Sequence, residues 1–312
     1  MQSQTETPAS VADAPAGNWV DLYAPSAWRP WLRLSRADRP IGTWLLLLPC
    51  WWGIGLAMMA DGPRWFDLWI AVASTLGAFL MRGAGCTWND ITDRDIDGSV
   101  ARTRSRPIPS GQVTVRGALI WMGVQAGISF LILLTLGWVA ILLGIASIVL
   151  VAIYPFAKRF TWWPQIFLGL AFNWGVLLAY AAHTGRVDAA PIAAYLGGIA
   201  WTIFYDTIYA HQDVEDDALI GVKSTARLFG DHSPLVLLWF GGLAVVMLAL
   251  AIVLTGDGLV MGLIGLAGFT AHLLWQWWRL DPKDSSGCLT LFRSNRDAGL
   301  ILALFLAVAG LV

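Results

Sequence analysis

Aspartates in two short segments are the residues of this sequence most suited to chemistry. The first segment, NDITDRDIDG, directly follows a long apolar stretch, and the second is YDTIYAHQDVEDDALIGVKSTA. Asn89, Asp93 and Asp97 are spaced by four residues, so on a continuous helix they share one face. Asp90 borders that face, and Asp95 points away from it. Carboxylate and amide oxygens that share a face are suited to binding a hard divalent cation.

The second segment repeats this arrangement. Asp206, Asp213 and Asp217 are separated by seven and then four residues, which places them on one helix face. Like charges at this spacing repel each other, and a charge near hydrocarbon costs about 2.5–3.5 kcal/mol. A cation between the carboxylates offsets both costs, and Mg²⁺ fits because it prefers oxygen ligands and is commonly shared with substrate phosphates. We therefore predict Mg²⁺ as the cofactor, with the ligands Asn89, Asp90, Asp93, Asp97, Asp206, Asp213 and Asp217.

Basic side chains lie in the polar loops beside these carboxylates. Guanidinium and ammonium groups bind phosphate oxygens through charge-assisted hydrogen bonds, so they suit the diphosphate oxygens that Mg²⁺ leaves uncovered. The residues predicted to bind a diphosphate substrate in this way are Arg102, Arg106, Lys158 and Lys223. Carboxylates, a metal, a diphosphate and cations form one chemically consistent set.

The chain that carries these residues has the composition of a helical membrane protein. Hydrophobic residues make up 57% and charged residues 13% of its 312 residues. Apolar segments of about 20 residues recur along it, and this is the length that spans a bilayer. The pattern predicts an all-α membrane bundle of nine transmembrane helices. They are placed near 41–60, 68–88, 117–136, 138–157, 164–183, 191–211, 234–254, 258–278 and 297–312.

Arginine and lysine determine the predicted orientation of this bundle. Four arginines precede the first span, namely Arg29, Arg33, Arg36 and Arg39. Further basic residues follow the even-numbered spans, whereas the connections after odd-numbered spans hold only Arg64 and Arg186. The positive-inside rule therefore places the N-terminus and both acidic segments on the cytoplasmic side.

The two acidic segments, 89–97 and 206–217, are four spans apart, which predicts two related four-helix halves plus a ninth helix. Residues 29–312 are predicted to form a single domain. Residues 1–28 carry acidic side chains but no lysine or arginine, so we expect a disordered tail that is neither a secretory signal nor a mitochondrial presequence. This favours the inner membrane of a bacterial cell over the mitochondrial inner membrane. No feature of the sequence indicates a nucleic-acid partner.

Several further segments make the chain similar to a known family. From about residue 30 to residue 300 it resembles the UbiA-type intramembrane aromatic prenyltransferases, and within them the branch that uses 4-hydroxybenzoate in ubiquinone synthesis. The resemblance is carried by RADRPIGTWLLLLPCWW, LMRGAGCTWNDITDRDIDG, RTRSRPIPSG, YPFAKR, WPQIFLGLAFNWG, YDTIYAHQDVEDDALIGVKSTA and CLTLFRSN. The family signature Asn-Asp-x2-Asp-x3-Asp begins at Asn89, and the signature Asp-x3-Asp begins at Asp213. Tyr154 and Lys158 match its Tyr-x3-Lys element.

This resemblance implies a nine-helix bundle around a cavity open to lipid, in which two Mg²⁺ ions hold a polyprenyl diphosphate. It also implies the reaction. The polyprenyl group moves to the ring carbon ortho to the hydroxyl of 4-hydroxybenzoate, and diphosphate leaves. The matching family position assigns Arg82 to the carboxylate of this aromatic acceptor.

Particular side chains are candidates for the chemical steps of such a reaction. Departure of diphosphate leaves an allylic cation, which aromatic faces stabilise, so Tyr154 and Tyr209 are candidates for that role. Asp213 is the candidate acceptor of the phenolic proton. Asp93 and Asp206 complete the predicted catalytic set.

Two other interpretations of the sequence stay open. The acceptor of a family member can be a different aromatic compound, such as homogentisate or dihydroxynaphthoate. Outside the enzyme class, matched half-repeats with buried acids are also found in cation-coupled transporters. A transporter is expected to bind its ligand near the middle of the bilayer, whereas these carboxylates are predicted at one membrane surface.

Overall fold

The computed structural model describes residues 11, 14–15, 17–99, 103–214, 218 and 221–312, except for the side chains of residues 96 and 99. All regular elements among these residues are helical, which confirms the predicted all-α class. The α-helices are α1 (Trp19–Tyr23), α2 (Arg29–Leu34), α3 (Ile41–Asp61), α4 (Phe66–Thr92), α5 (Arg94–Ser99), α6 (Val115–Leu133), α7 (Trp138–Phe160), α8 (Pro164–Thr184), α9 (Ala189–Ala210), α10 (Thr225–Phe229), α11 (Ser233–Thr255), α12 (Leu259–Arg279) and α13 (Ser285–Ala309). Short 3₁₀ turns cover His211–Asp213 and Gly230–His232.

Within the described residues, 7 helices are long and apolar enough to cross a membrane. They are α3, α4, α6, α7, α8, α12 and the stretch Thr225–Thr255 that contains α11. The other two long helices are less apolar, because α9 contains Asp206 and two glycines and the first half of α13 contains Arg293 and Arg296. The count of nine transmembrane helices therefore stays a prediction.

The predicted spans lie close to the observed helices, except at the last one. That helix begins at Ser285 rather than near residue 297. Asp284 caps its N-terminus by accepting hydrogen bonds from the backbone N–H groups of Ser286 at 3.1 Å and Gly287 at 3.0 Å. Hydropathy alone misses these first turns because they are polar.

Contacts divide the chain into two compact units, and the single domain predicted for residues 29–312 stays a prediction. The first contains the described residues up to Thr43 together with Leu76–Ile132, and the second contains Trp44–Thr75 together with Leu133–Val312. This division does not follow the predicted pair of four-helix halves, which is not confirmed. The spacing of two acidic motifs is a weak guide here, because units are defined by packing between distant segments.

In the first unit, part of the tail predicted to be disordered is a helix. Asn18 caps α1 by accepting a hydrogen bond from the N–H group of Asp21 at 3.0 Å. Asp21 in turn forms an ion pair of 2.7 Å with the buried Arg33. The indole of Trp19 donates to the carbonyl of Ala37 at 2.7 Å. The prediction of disorder throughout 1–28 is therefore wrong for Trp19–Tyr23, because contacts with later residues hold this short helix.

The second unit packs around α9, which contacts α8, α11 and α13. Its buried Trp201 lies 5.0 Å from Trp52 of α3 and 5.7 Å from Phe269 of α12, measured between ring centroids. The indole N–H of Trp201 donates to Asn295 at 2.9 Å, so its polar atom is satisfied. Trp201 lies on α9 five residues before Asp206, the first aspartate of the second acidic segment.

Ion pairs connect loop ends within the same unit. Arg186 donates to both carboxylate oxygens of Asp61 at 2.8 Å, and Arg64 donates to the carbonyl of His183 at 2.6 Å. His183 and Asp67 are both buried, and their side chains approach to 2.5 Å. The pair joins the start of α4 to the end of α8 and gives His183 a structural role.

Candidate active site

The first acidic segment keeps its predicted helical face. The α-helix is interrupted at Asp93, between the end of α4 at Thr92 and the start of α5 at Arg94. The backbone hydrogen bonds nevertheless continue in helical register. Asp93 donates to the carbonyl of Asn89 at 2.9 Å, and Asp97 donates to the carbonyl of Asp93 at 2.8 Å. Because this register is preserved, Asn89, Asp93 and Asp97 project from one side.

The carboxylates on this face are buried, whereas the one pointing away is not. The exposed fractions are 0% for Asp90, 1% for Asp93 and 6% for Asp97. The side chain of Asp95 is 91% exposed. A buried carboxylate is costly unless it is paired or bound to a metal, so the three inward residues require partners and Asp95 does not.

Two arginines supply part of that requirement. Arg36 Nη2 lies 2.5 Å from Asp90 Oδ1, and Arg106 Nη1 lies 2.8 Å from Asp97 and 3.5 Å from Asp90. Arg106 therefore contacts the carboxylates themselves, and its predicted role in binding the diphosphate stays a prediction. Arg102 lies outside the described residues. The sequence gives no sign of this role of Arg36, because 54 residues separate it from Asp90.

The remaining atoms of this group fit a divalent cation. Asp90 Oδ2 is buried and has no hydrogen-bond partner among the described residues. Burial raises the pKa of Asp97, as do the nearby charges of Asp90 and Asp93, whereas the charge of Arg106 acts in the opposite direction. No three acidic, histidine or cysteine side chains of the described residues converge into a preformed metal site. Mg²⁺ is commonly held by only one or two carboxylates together with waters and substrate phosphates, so this donor set is sufficient.

Arg82 lies deeper in α4, about 10 Å from Asn89 along the helix axis. Its guanidinium lies against the first turn of α3, next to Gly42. The neighbouring Gly83 is closely packed as well, because a Cβ there would meet Gln125 Oε1 at 2.0 Å. Gln125 also pairs with Ser35 at 3.1 Å. The backbone that carries Arg82 is therefore closely packed.

The second acidic segment departs from the predicted continuous helix. The helix α9 ends at Ala210, and His211–Asp213 form a 3₁₀ turn. Asp206 lies in the last turns of α9 and Asp213 ends the 3₁₀ turn, and both are half-buried. Asp217 lies outside the described residues. The placement of Asp206, Asp213 and Asp217 on one helix face therefore stays a prediction.

Hydrogen bonds anchor the end of α9 independently of the aspartates. The hydroxyl groups of Thr207 and Thr225 are 2.6 Å apart, and Gln165 accepts from the N–H group of Thr225 at 3.3 Å. His211 Nδ1 lies 2.7 Å from the carbonyl of Thr207, and His211 Nε2 lies 3.2 Å from the hydroxyl of Ser233. These contacts assign His211 a structural role.

Three basic side chains, which we call the basic group, are found in the second unit: Lys158, Lys223 and Arg227. The N–H group of Lys223 donates to the carbonyl of Lys158 at 3.3 Å, so these two predicted phosphate ligands are brought together. Both Lys223 and Arg227 pack over the ring of Trp162, with Nζ at 5.9 Å and Cζ at 5.4 Å from its centroid. Arg227 also donates to the carbonyl of Val222. Nothing in the sequence marks Trp162 and Arg227 as functional residues, because neither lies at a recognised spacing.

Of the two tyrosines predicted to stabilise a cation, Tyr209 belongs to a defined aromatic contact. Its ring centroid lies 4.5 Å from that of Phe292, with 42° between the ring planes. Phe292 also lies 5.9 Å from Tyr205, one helical turn earlier on α9. Tyr154 is half-buried in α7, one turn before Lys158. The roles of both tyrosines stay predictions.

Comparison with known proteins identifies the family. The model of the UbiA prenyltransferase family matches residues 46–311, which is most of the chain. The chain belongs to the UbiA prenyltransferase family. This confirms the resemblance inferred from the acidic signatures, and it favours a prenyltransferase over a transporter.

Relatives of this UbiA family member are similar along most of its length. It is 48% identical over 283 residues to the mitochondrial 4-hydroxybenzoate polyprenyltransferase of Aedes aegypti, covering 88% of this chain and 62% of that protein. It is 47% identical over 294 residues to the protein of the same name from Bos taurus, covering 92% of this chain and 77% of that protein. The chain thus spans less than two thirds of the insect relative.

A solved structure shows the same fold. A UbiA homolog from Archaeoglobus fulgidus bound to GPP and Mg²⁺ superposes with a TM-score of 0.68 at 21% identity, covering 90% of this chain and 99% of that one. This UbiA family member therefore shares the fold of that homolog.

The expected bacterial location is wrong. Relatives between 44% and 48% identical to this chain are named mitochondrial, including the human protein. The charge pattern of residues 1–28 is a poor guide, because it describes one short stretch and not the membrane in which the helices reside.

Proposed function

We propose that this protein transfers a polyprenyl group from a polyprenyl diphosphate to the ring carbon ortho to the hydroxyl of 4-hydroxybenzoate, releasing diphosphate. The observation that carries this proposal is the identity of 47% with a polyprenyltransferase of this specificity over 92% of the chain. The buried carboxylates with their arginines, at the positions of the family signature, supply the chemistry that such a reaction needs.

The first acidic segment is proposed to hold Mg²⁺ and, through it, the diphosphate. Asp90, Asp93 and Asp97 would act as ligands, with Asn89 on the same face. A bound Mg²⁺ neutralises the charge that develops on the leaving diphosphate. Arg36 and Arg106 hold the carboxylates in place, since each contacts an oxygen of Asp90. The buried Oδ2 of Asp90 supports this assignment, because it stays without a protein partner among the described residues.

The basic group of the second unit is proposed to bind phosphate oxygens as well. Lys158 and Lys223 are adjacent in the structure, and their ammonium groups attract the negative charge of the leaving group. Asp206 and Asp213 are proposed as further carboxylates for the metal, with Asp213 accepting the phenolic proton. Asp217 and Arg102, which lie outside the described residues, are assigned by their signature positions.

The acceptor is proposed to be held through its carboxylate by Arg82. A planar guanidinium binds a carboxylate through two parallel hydrogen bonds, which fixes both position and orientation. The allylic cation that forms when diphosphate leaves reacts with water, so an apolar environment protects it. Tyr154 and Tyr209 are proposed to stabilise this cation with their ring faces.

The partners proposed for the protein are a polyprenyl diphosphate, 4-hydroxybenzoate and the lipid of the mitochondrial inner membrane. The location is supported by the names of the relatives at 44–48% identity. Many apolar side chains of α6 and α7 are exposed, including Leu131, Ile120 and Val149, and they are suited to contact lipid.

The test uses purified protein in detergent or proteoliposomes with polyprenyl diphosphate, Mg²⁺ and 4-hydroxybenzoate. We expect a product whose mass equals the acceptor plus one polyprenyl group, minus one hydrogen. Asp93→Asn should abolish it, whereas Asp95→Asn is the matched control and should retain it. Product formed with homogentisate or dihydroxynaphthoate but not with 4-hydroxybenzoate would contradict the acceptor. No product with any aromatic acceptor would contradict the enzyme.

A further inference from the structure

Gly42 lies in direct contact with the guanidinium of Arg82. Gly42 is the second residue of α3 and is buried. A Cβ built on it would lie 2.5 Å from Nη2, 2.6 Å from Nε and 2.7 Å from Cζ of Arg82. All three distances are shorter than about 3.5 Å, the separation at which two non-bonded atoms make ordinary contact. The group lies against bare backbone that only glycine provides.

The contact involves the functional end of Arg82 and not its stem. A long side chain can move its tip at little energetic cost, so an alanine at position 42 is compatible with the fold. The displacement would fall on the guanidinium, which would move by roughly 1 Å to restore an ordinary contact distance. A shift of this size in a bidentate group is sufficient to lose its paired hydrogen bonds.

The backbone of Arg82 cannot readily follow such a movement. Gly83, the next residue, is in contact with Gln125 and Ser35, and Trp121 donates to Ser35 at 2.8 Å. These contacts hold the helix backbone next to Arg82 in place. Any displacement at position 42 is therefore transmitted to the side chain of Arg82 and not to the helix that carries it.

We infer that Gly42 is a positioning residue for substrate binding: its lack of a side chain determines where the Arg82 guanidinium meets the carboxylate of the aromatic acceptor. This inference rests on the proposed function, because it takes that function's assignment of Arg82. Gly42 acts through Arg82 and does not itself contact the substrate. Its effect is therefore specific to acceptors that carry a carboxylate.

The test compares Gly42→Ala with Gly77→Ala. Gly77 is on α4, five residues before Arg82, and a Cβ there would meet only Ser129 Oγ at 3.9 Å. Both changes increase helix propensity alike. We expect Gly42→Ala to raise the KM for 4-hydroxybenzoate about ten- to hundredfold, the loss expected for displaced charged hydrogen bonds. Its KM for polyprenyl diphosphate should stay within about twofold of the Gly77→Ala value, a difference within context-dependent scatter.

Two further measurements separate positioning from general damage. In an Arg82→Ala background, adding Gly42→Ala should change the acceptor KM no further, because the affected group is gone. With 4-hydroxybenzamide, in which a neutral amide replaces the carboxylate, Gly42→Ala and the wild type should have the same KM. Equal KM values for 4-hydroxybenzoate in Gly42→Ala and Gly77→Ala would overturn the inference. So would an additive effect in the Arg82→Ala background.

Two other outcomes are a lowered Tm of Gly42→Ala and a wild-type protein without activity. If Gly42→Ala lowers the Tm, Arg82→Ala in the same chain should restore it by removing the contact, and a failure to do so would overturn the inference. If wild-type protein does not prenylate 4-hydroxybenzoate at all, the proposed function fails. If it does so and Gly42→Ala behaves as Gly77→Ala, only the inference about Gly42 fails.

Discussion

Arg36 forms an ion pair with Asp90, with Nη2 at 2.5 Å from Oδ1, although the two residues are 54 positions apart. The side chains of both are buried, and Arg36 has a positive φ of 56°, a conformation that is uncommon for residues other than glycine. A strained backbone and a buried charge are both costly unless surrounding structure compensates for them. The pair therefore indicates that the position of Asp90 matters to this protein.

Replacing Arg36 should destabilise the protein and impair Mg²⁺-dependent turnover. Arg36→Ala leaves the carboxylate of Asp90 buried with one less partner, so we expect a loss of about 3–5 kcal/mol in the free energy of unfolding. Arg36→Gly should be less destabilising than Arg36→Ala by about 1 kcal/mol, because glycine accommodates the positive φ. Denaturant unfolding in detergent measures both. Arg94→Ala, at an exposed pair with Asp95, is the control and should cost at most about 1 kcal/mol.

Removal of the metal should stop the reaction. Chelation with EDTA is expected to abolish turnover and added Mg²⁺ to restore it, since the buried carboxylates are suited to oxygen-ligated divalent cations. Asp90→Asn should raise the Mg²⁺ concentration for half-maximal activity at least about tenfold, because it removes a charged ligand. Turnover measured at graded Mg²⁺ concentrations tests this. An unchanged Mg²⁺ dependence in Asp90→Asn, equal to that of Asp95→Asn, would contradict the assignment.

Trp162 should affect the binding of the diphosphate. Its ring packs under Lys223 and Arg227, so Trp162→Leu removes two cation–π contacts from the basic group. We expect the KM for polyprenyl diphosphate to rise about three- to tenfold, whereas Trp162→Phe should retain most of the affinity because a ring face remains. Steady-state kinetics at saturating 4-hydroxybenzoate measure this. Trp239→Leu, at another exposed tryptophan, is the control. The same effect in both leucine variants would argue against the contact.

The buried hydrogen bond between Asp67 and His183 should contribute more to stability than the exposed ion pair between Asp61 and Arg186. Leaving a buried hydrogen-bonding group without its partner costs about 1–3 kcal/mol, whereas an exposed ion pair is worth about 0–1 kcal/mol. We therefore expect Asp67→Ala to lower the Tm clearly more than Arg186→Ala, which differential scanning fluorimetry in detergent measures. Neither change should alter the KM for either substrate if these residues serve only the fold. A larger Tm loss in Arg186→Ala would reverse this ranking.

Sequence determines the local features of this protein. Runs of apolar residues predict the long helices to within a few residues, and the spacing of Asn89, Asp93 and Asp97 predicts their common face. Both inferences depend only on neighbours within a few turns, where helix geometry relates position to direction. They fail where local signals are mixed, as at the polar start of α13 or in the 3₁₀ turn His211–Asp213 that replaces a continuous helix.

Tertiary structure alone decides which distant groups meet. The pairing of Arg36 with Asp90, the contact of Gly42 with Arg82 and the shared ring of Trp162 join residues from separate segments. No periodicity relates such positions, because their contacts arise from the packing of whole helices against each other. The sequence therefore identifies which side chains can hold a metal and a diphosphate, and the fold determines which neighbours keep each of them in place.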